Sequence, residues 1–120
     1  VIPGQFAIAQ LPAGSPIPTW ATQGAFSSVT ATPEELSVVC EESAVPDGTI
    51  AQKGFICLQL EGPFPLDSVG ILHKFLGPLV KERTPIFAVS TFNTDFILIH
   101  AERKKLALEV LQRAGNELIS

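Results

Sequence analysis

From residue 55 onward the chain reads as strand, helix, strand, strand, helix, strand, and few folds accommodate that order. In residues 55–60, Phe55, Cys57 and Gln59 alternate with Ile56, Leu58 and Leu60, the pattern of a strand buried on at least one face. A stiff turn, Glu61-Gly62-Pro63-Phe64-Pro65, leads to Asp67 and Ser68, either of which can cap a helix carrying Val69, Leu72, Leu76, Leu79 and Val80 at helical spacing. Gly77-Pro78 interrupts that pattern and predicts a kink or an early end, because an interior proline removes a helical hydrogen bond and crowds the preceding turn. Residues 86–91 and 96–100 are short β-rich runs separated by Phe92-Asn93-Thr94-Asp95, a spacing suited to a tight hairpin. Residues 102–114 follow as a helix with Ala107, Val110, Leu111 and Ala114 on one face and Gly115 as its terminator, and residues 116–119 can form a last strand. The expected fold class is α+β: a four-stranded antiparallel sheet with both helices on one face.

The first half is β-rich and incomplete. Residues 6–11 predict a strand that ends at Pro12, and Gly14, Pro16 and Pro18 mark the irregular connection after it. Residues 25–30 and 36–41, rich in Val, Ser, Thr and Phe, predict two more strands. Between them, Thr32-Pro33-Glu34-Glu35 has a cap and acids suited to a helix start, but room for a turn only. Pro46, Asp47, Gly48 and Gly54 break up residues 43–54, so the expected division is 1–51 and 52–120. Three strands with little cover cannot bury both faces alone, and this half is expected to extend a sheet or pack on the second unit.

Several function classes lack support. The chain has 120 residues, a formal charge of -4 and only 8 Lys and Arg, which gives no basic field for nucleic acid. Cys40 and Cys57 lie far apart in apolar runs, so neither a CxxC pair nor a zinc knuckle is present, and two buried, reduced thiols are expected. With no charged leader and no apolar run long enough to span a bilayer, the expected location is the cytoplasm. His73, inside a helix, and His100, at a strand end, assemble no catalytic set, and an acylphosphatase would need an Arg in the loop over residues 62–68, which has no basic residue. Asp67 and Asp95 are too isolated for a metal signature, so no enzyme, metal or cofactor is expected.

What remains is a pair of loops. The helix entry, Asp67-Ser68-Val69-Gly70-Ile71, offers free backbone N–H groups that can hold a carboxylate without a basic side chain, and Gly70 allows close approach. The hairpin Ser90-Thr91-Phe92-Asn93-Thr94-Asp95 offers acceptors for an ammonium group: the Asp95 carboxylate, the Asn93 amide oxygen and hairpin carbonyls. Together they match the two charged ends of a free amino acid. The same residues also serve as a helix cap and as turn formers, and on physical grounds alone that structural reading stands slightly ahead.

The stretch Leu66-Asp67-Ser68-Val69-Gly70-Ile71-Leu72, followed by residues 86–99 with Ser90-Thr91-Phe92-Asn93-Thr94-Asp95, resembles the ACT domain, especially the subgroup related to the ACT units of aspartate kinases and of the CASTOR arginine sensors. The motif positions are Gly70, Ser90, Thr91, Phe92, Thr94 and Asp95. Phe6-Ala7-Ile8, Pro18-Thr19-Trp20-Ala21 and Phe26-Ser27-Ser28-Val29-Thr30 resemble the companion segment of small two-part ACT proteins. The resemblance implies a ferredoxin-like βαββαβ ACT unit with an incomplete N-terminal ACT-like half, allosteric amino-acid binding, and sites shared across paired units. The departures are Pro63-Phe64-Pro65, stiffer than a flexible ligand lid, and Gly77-Pro78. The alternative is a ligand-free dimerisation or partner-binding module. A β-branched sheet edge needs cover, so a homodimer is expected. Mass measurement at micromolar concentration should return twice the chain mass, and a strictly monomeric particle would contradict it.

Overall fold

A computed structural model describes residues 1–60 and 71–113, with backbone alone for residues 71–75. The chain divides into two compact units, Ile2–Phe55 and, with Val1, Ile56–Ser120.

The N-terminal unit is built on β1 (Ile2–Pro12), β2 (Ser28–Ala31) and β3 (Glu35–Glu41), and it includes the start of β4 (Ile50–Gln59). β3 lies between the other two: it pairs antiparallel with β1, Ala7 opposite Cys40 and Ala9 opposite Val38, and antiparallel with β2, Val29 opposite Val38. Because side chains alternate along a strand, Ala7 and Ala9 share a face. They pack with Val38, Cys40, Val45 and with Ala21 from the short 3-10 helix Thr19–Thr22. Phe6 points to the opposite face and is also fully buried, meeting Phe26 edge-on with ring centroids 6.1 Å apart.

Two acids at the end of β3 organise the connections. The Glu41 carboxylate accepts the Ala25 N–H at 3.3 Å and lies so close to Gly24 that a Cβ there would sit 2.5 Å from Glu41 Cδ. Gly24 also has φ +95°, so no other residue fits without a shift of backbone or acid. This explains why β2 starts at Ser28 rather than at Ala25 as the sequence suggests: Ala25 is held by Glu41, and Phe26 turns inward against Phe6. Glu42 Oε1 accepts the Gly54 N–H at 2.7 Å. Gly54, at φ +85°, therefore lies within β4 instead of ending it, and β4 begins at Ile50 within the stretch expected to be irregular. Likewise β1 begins at Ile2 rather than Phe6. The β2–β3 connection is a turn, as its length dictates, in which Thr32 Oγ1 accepts the N–H groups of Glu34 and Glu35.

The C-terminal unit contains the end of β4, α1 (Ile71–Lys81), β5 (Phe87–Ser90), β6 (Asp95–His100) and α2 (Lys104–Arg113), the last entered through a 3-10 turn, Ala101–Arg103. Its strands lie in the order β4-β6-β5, with β5 and β6 antiparallel. Ile56 and Leu58 of β4 and Ile97 and Ile99 of β6 form one core with Leu79 of α1 and Ala107 and Leu111 of α2. Cys57 and Leu98, on the other pleat face, are fully buried as well. Ala107, Val110 and Leu111 occupy the buried face of α2 that the spacing predicts. Ala114, Gly115 and the expected strand over residues 116–119 lie outside the described residues.

An early end of α1 at Gly77-Pro78 and an inward-facing Val80 are both expectations that the structure does not bear out. The helix continues through Pro78 to Lys81. It is held there because Leu79 is fully buried in the core and because the last turn is closed by a Schellman arrangement: the Thr84 N–H donates to the Leu79 carbonyl at 3.0 Å and the Arg83 N–H to the Val80 carbonyl at 2.9 Å. Val80, expected on the inner face, is 62% exposed, since a position adjacent to Leu79 is rotated about 100° away from it. Arg83 takes the left-handed position, φ 53°, that glycine usually fills. Arg83→Gly should therefore stabilise the protein by up to about 1 kcal/mol in urea unfolding, and a loss of stability would contradict this closure.

Both cysteines are free and fully buried. Burial pushes the Cys57 thiol up to about 12, against a lowering by the N-terminal ammonium, and burial followed by Glu41 raises Cys40. Unfolded thiols ionise near about pH 8.5, so above that the unfolded chain binds fewer protons than the folded one and stability falls as pH climbs. Unfolding free energy should decline from pH 9 upward, with a shallower decline in Cys57→Ala; an equal slope in the variant would contradict the assignment.

Candidate functional site

The turn between β5 and β6 is fixed by threonines at both of its ends. The Thr91 N–H donates to the Thr94 carbonyl at 2.8 Å, the Thr91 hydroxyl donates to the same oxygen at 3.1 Å, and the Thr94 N–H donates back to Thr91 Oγ1 at 3.3 Å. These three bonds close the loop neck and leave Phe92 and Asn93 at the tip. Phe92 is 77% exposed and Asn93 is exposed.

Outside the neck, Ser90 and Asp95 face each other across the hairpin register. The Ser90 hydroxyl donates to Asp95 Oδ1. That bond sets the orientation of the carboxylate, and Asp95 itself is only partly buried. An anionic carboxylate accepts several hydrogen bonds, so one held by a hydroxyl can take an ammonium as well.

Thr94 joins the hairpin to β4. It is 8% exposed, and its hydroxyl donates to the Leu60 carbonyl at 2.6 Å. The Leu60 N–H donates to the Asp95 carbonyl at 2.9 Å. Both backbone polar groups of Leu60, the residue that follows β4, are thus taken by consecutive hairpin residues.

Of the residues singled out from the sequence, the structure brings Ser90, Thr91, Phe92, Asn93 and Asp95 together on this hairpin. Asp67, Ser68, Val69 and Gly70 lie outside the described residues, and Ile71 is the first residue of α1. Thr94 and Leu60 were not among the expected site residues. Thr94 had a signal in its spacing from Thr91, which suits paired hydroxyl-to-backbone bonds. Leu60 had none, because it acts through its backbone.

Elsewhere, Pro78, Lys81, Glu82, Val110 and Arg113 line a cavity of about 240 Å³ near the ends of α1 and α2. Among the described residues no group of three or more His, Cys, Asp or Glu side chains could hold a metal ion, and no helix is long and apolar enough to cross a membrane.

This arrangement, a β-α-β-β-α unit with antiparallel β5 and β6, has counterparts among known proteins. A family model of the ACT domain matches residues 50–113, and a second model, of an N-terminal domain, matches residues 4–48. The chain belongs to the ACT domain family, and its fold is the ferredoxin-like fold of that family. A crystal structure of a protein from Agobacterium tumefaciens is similar over 97% of this chain and 87% of that one, at 36% identity and a TM-score of 0.90. The regulatory subunit of aspartate kinase from Thermus thermophilus, in its ligand-free form, shares the fold over 94% of each chain at 11% identity and a TM-score of 0.64. Aspartate kinase from Clostridium acetobutylicum, described as an allosteric enzyme, shares it over 93% of this chain and 33% of its own, at 12% identity and a TM-score of 0.67. No curated protein matches the chain.

Proposed function

We propose that this chain is a regulatory ACT module that binds a free amino acid and acts as an allosteric sensor rather than as an enzyme. The observation that carries the reading is the Ser90–Asp95 pair: a carboxylate oriented by a neighbouring hydroxyl, partly open, beside an exposed loop tip. A carboxylate prepared in this way suits an ammonium group, and no Lys or Arg lies within residues 86–100 to compete for it. ACT family membership and the shared fold of an aspartate kinase regulatory subunit support the same reading.

In this proposal Asp95, with Asn93 and the hairpin carbonyls, takes the ammonium end. Ser90, Thr91 and Phe92 complete that end. The carboxylate end is assigned, on the sequence alone, to the amides of Ser68, Val69, Gly70 and Ile71, with Asp67 beside them. The binding unit is residues 52–120, working as a homodimer in the cytoplasm.

A thermal-shift screen of the twenty standard amino acids tests this directly, since a ligand at a hundred times its dissociation constant adds about 2.7 kcal/mol. At least one should raise the melting temperature. Calorimetric titration of that amino acid into Asp95→Ala should then show affinity lower by roughly tenfold to a hundredfold, the worth of a charge-assisted hydrogen bond of about 1.5–3 kcal/mol, with the fold intact. If Asp95→Ala binds as tightly as the parent, the site assignment is wrong, and if no amino acid shifts the curve, the chain is a ligand-free dimerisation or partner-binding module instead.

A further inference from the structure

Thr94 touches no ligand in the reading above, yet it commits all three of its polar groups. Its N–H and carbonyl close the loop on Thr91, and its buried hydroxyl donates to the Leu60 carbonyl at 2.6 Å. Its neighbour Asp95, whose side chain is the ammonium acceptor of the proposal, holds the Leu60 N–H through its own carbonyl at 2.9 Å. Leu60 is fully buried, so water is a poor substitute for either bond. The acceptor hairpin is therefore anchored to the point where β4 ends.

Resting on the amino-acid-binding reading, we infer that Thr94 is the positioning residue of the site: its hydroxyl, through Leu60, holds the Asp95 hairpin in fixed register with the end of β4. A carboxylate grips an ammonium group well only if the backbone that carries it is fixed, and small errors of placement cost large factors in affinity. The role requires a hydroxyl. A β-branched side chain without one keeps the shape and the strand preference of threonine but leaves the Leu60 carbonyl without its donor. Serine keeps the donor and loses only a methyl group.

The test compares Thr94→Val and Thr94→Ser with the parent. In the unliganded protein, amide hydrogen exchange at Leu60, Thr91 and Asp95 should speed up at least about tenfold in Thr94→Val, relative to amides of β6 such as Ile97 and Leu98, and stay near the parent rate in Thr94→Ser. Titration with the amino acid that shifts the parent's melting curve, performed well below every variant's melting temperature, should show at least a roughly tenfold weaker Thr94→Val and a Thr94→Ser close to the parent. A Thr94→Val variant that melts earlier but binds as tightly as the parent would make Thr94 structural only and overturn the inference. So would unchanged local exchange, or a Thr94→Ser variant as weak as Thr94→Val. If the parent binds no amino acid, the proposed function fails and the positioning role fails with it, whereas a parent that binds with both variants unaffected leaves the function standing and removes Thr94 alone.

Discussion

A carbonyl buried at the end of a strand must find a donor, and at Leu60 that donor is the hydroxyl of Thr94. Much of the C-terminal unit's geometry follows from this bond. Thr94 can reach Leu60 only if the loop neck is closed behind it, which Thr91 does with its N–H and hydroxyl. With the neck closed, Asp95 starts β6 opposite Ser90, and the serine hydroxyl meets the carboxylate. Ile97 and Ile99 then fall on the face that meets α1 and α2, because alternate residues of a strand share a side. One buried hydrogen bond thus links the register of the core to the orientation of the acid at the loop.

The C-terminal unit was legible in the sequence where periodicity and turn chemistry agree. Ala107, Val110 and Leu111 recur at helical spacing and are buried, and the Ser90-to-Asp95 stretch forms the expected hairpin. Legibility ended where a tertiary contact overrides a local rule. Pro78 argues for a break, yet burial of Leu79 and the hydrogen bonds of Arg83 and Thr84 carry the helix past it. Gly54 argues for a boundary, yet the Glu42 carboxylate takes up its N–H and β4 runs through. The Glu42 acceptor lies 12 positions from Gly54, so no local pattern announces it. At the candidate site the residue types of the hairpin were readable, whereas the anchoring role of Thr94 depends on a backbone group thirty-four positions away.

The physical case for the proposed recognition role rests on what the hairpin holds. A carboxylate set by a serine hydroxyl can recognise a cation. Rigidity at the neck and exposure at the tip suit reversible recognition, since a fixed acceptor pays little entropy on binding and an exposed Phe92 can cover a small ligand. Membership of the ACT family is consistent with such a role.

The most direct measurement of that claim is chemical-shift mapping on isotope-labelled protein during titration with the standard amino acids. The account predicts that one or a few of them shift the amide signals of Ser90, Thr91, Asn93, Thr94, Asp95 and Leu60 in a saturable, concentration-dependent manner. No shift with any amino acid, or shifts confined to Lys81, Val110 and Arg113 around the cavity near the ends of α1 and α2, would contradict it.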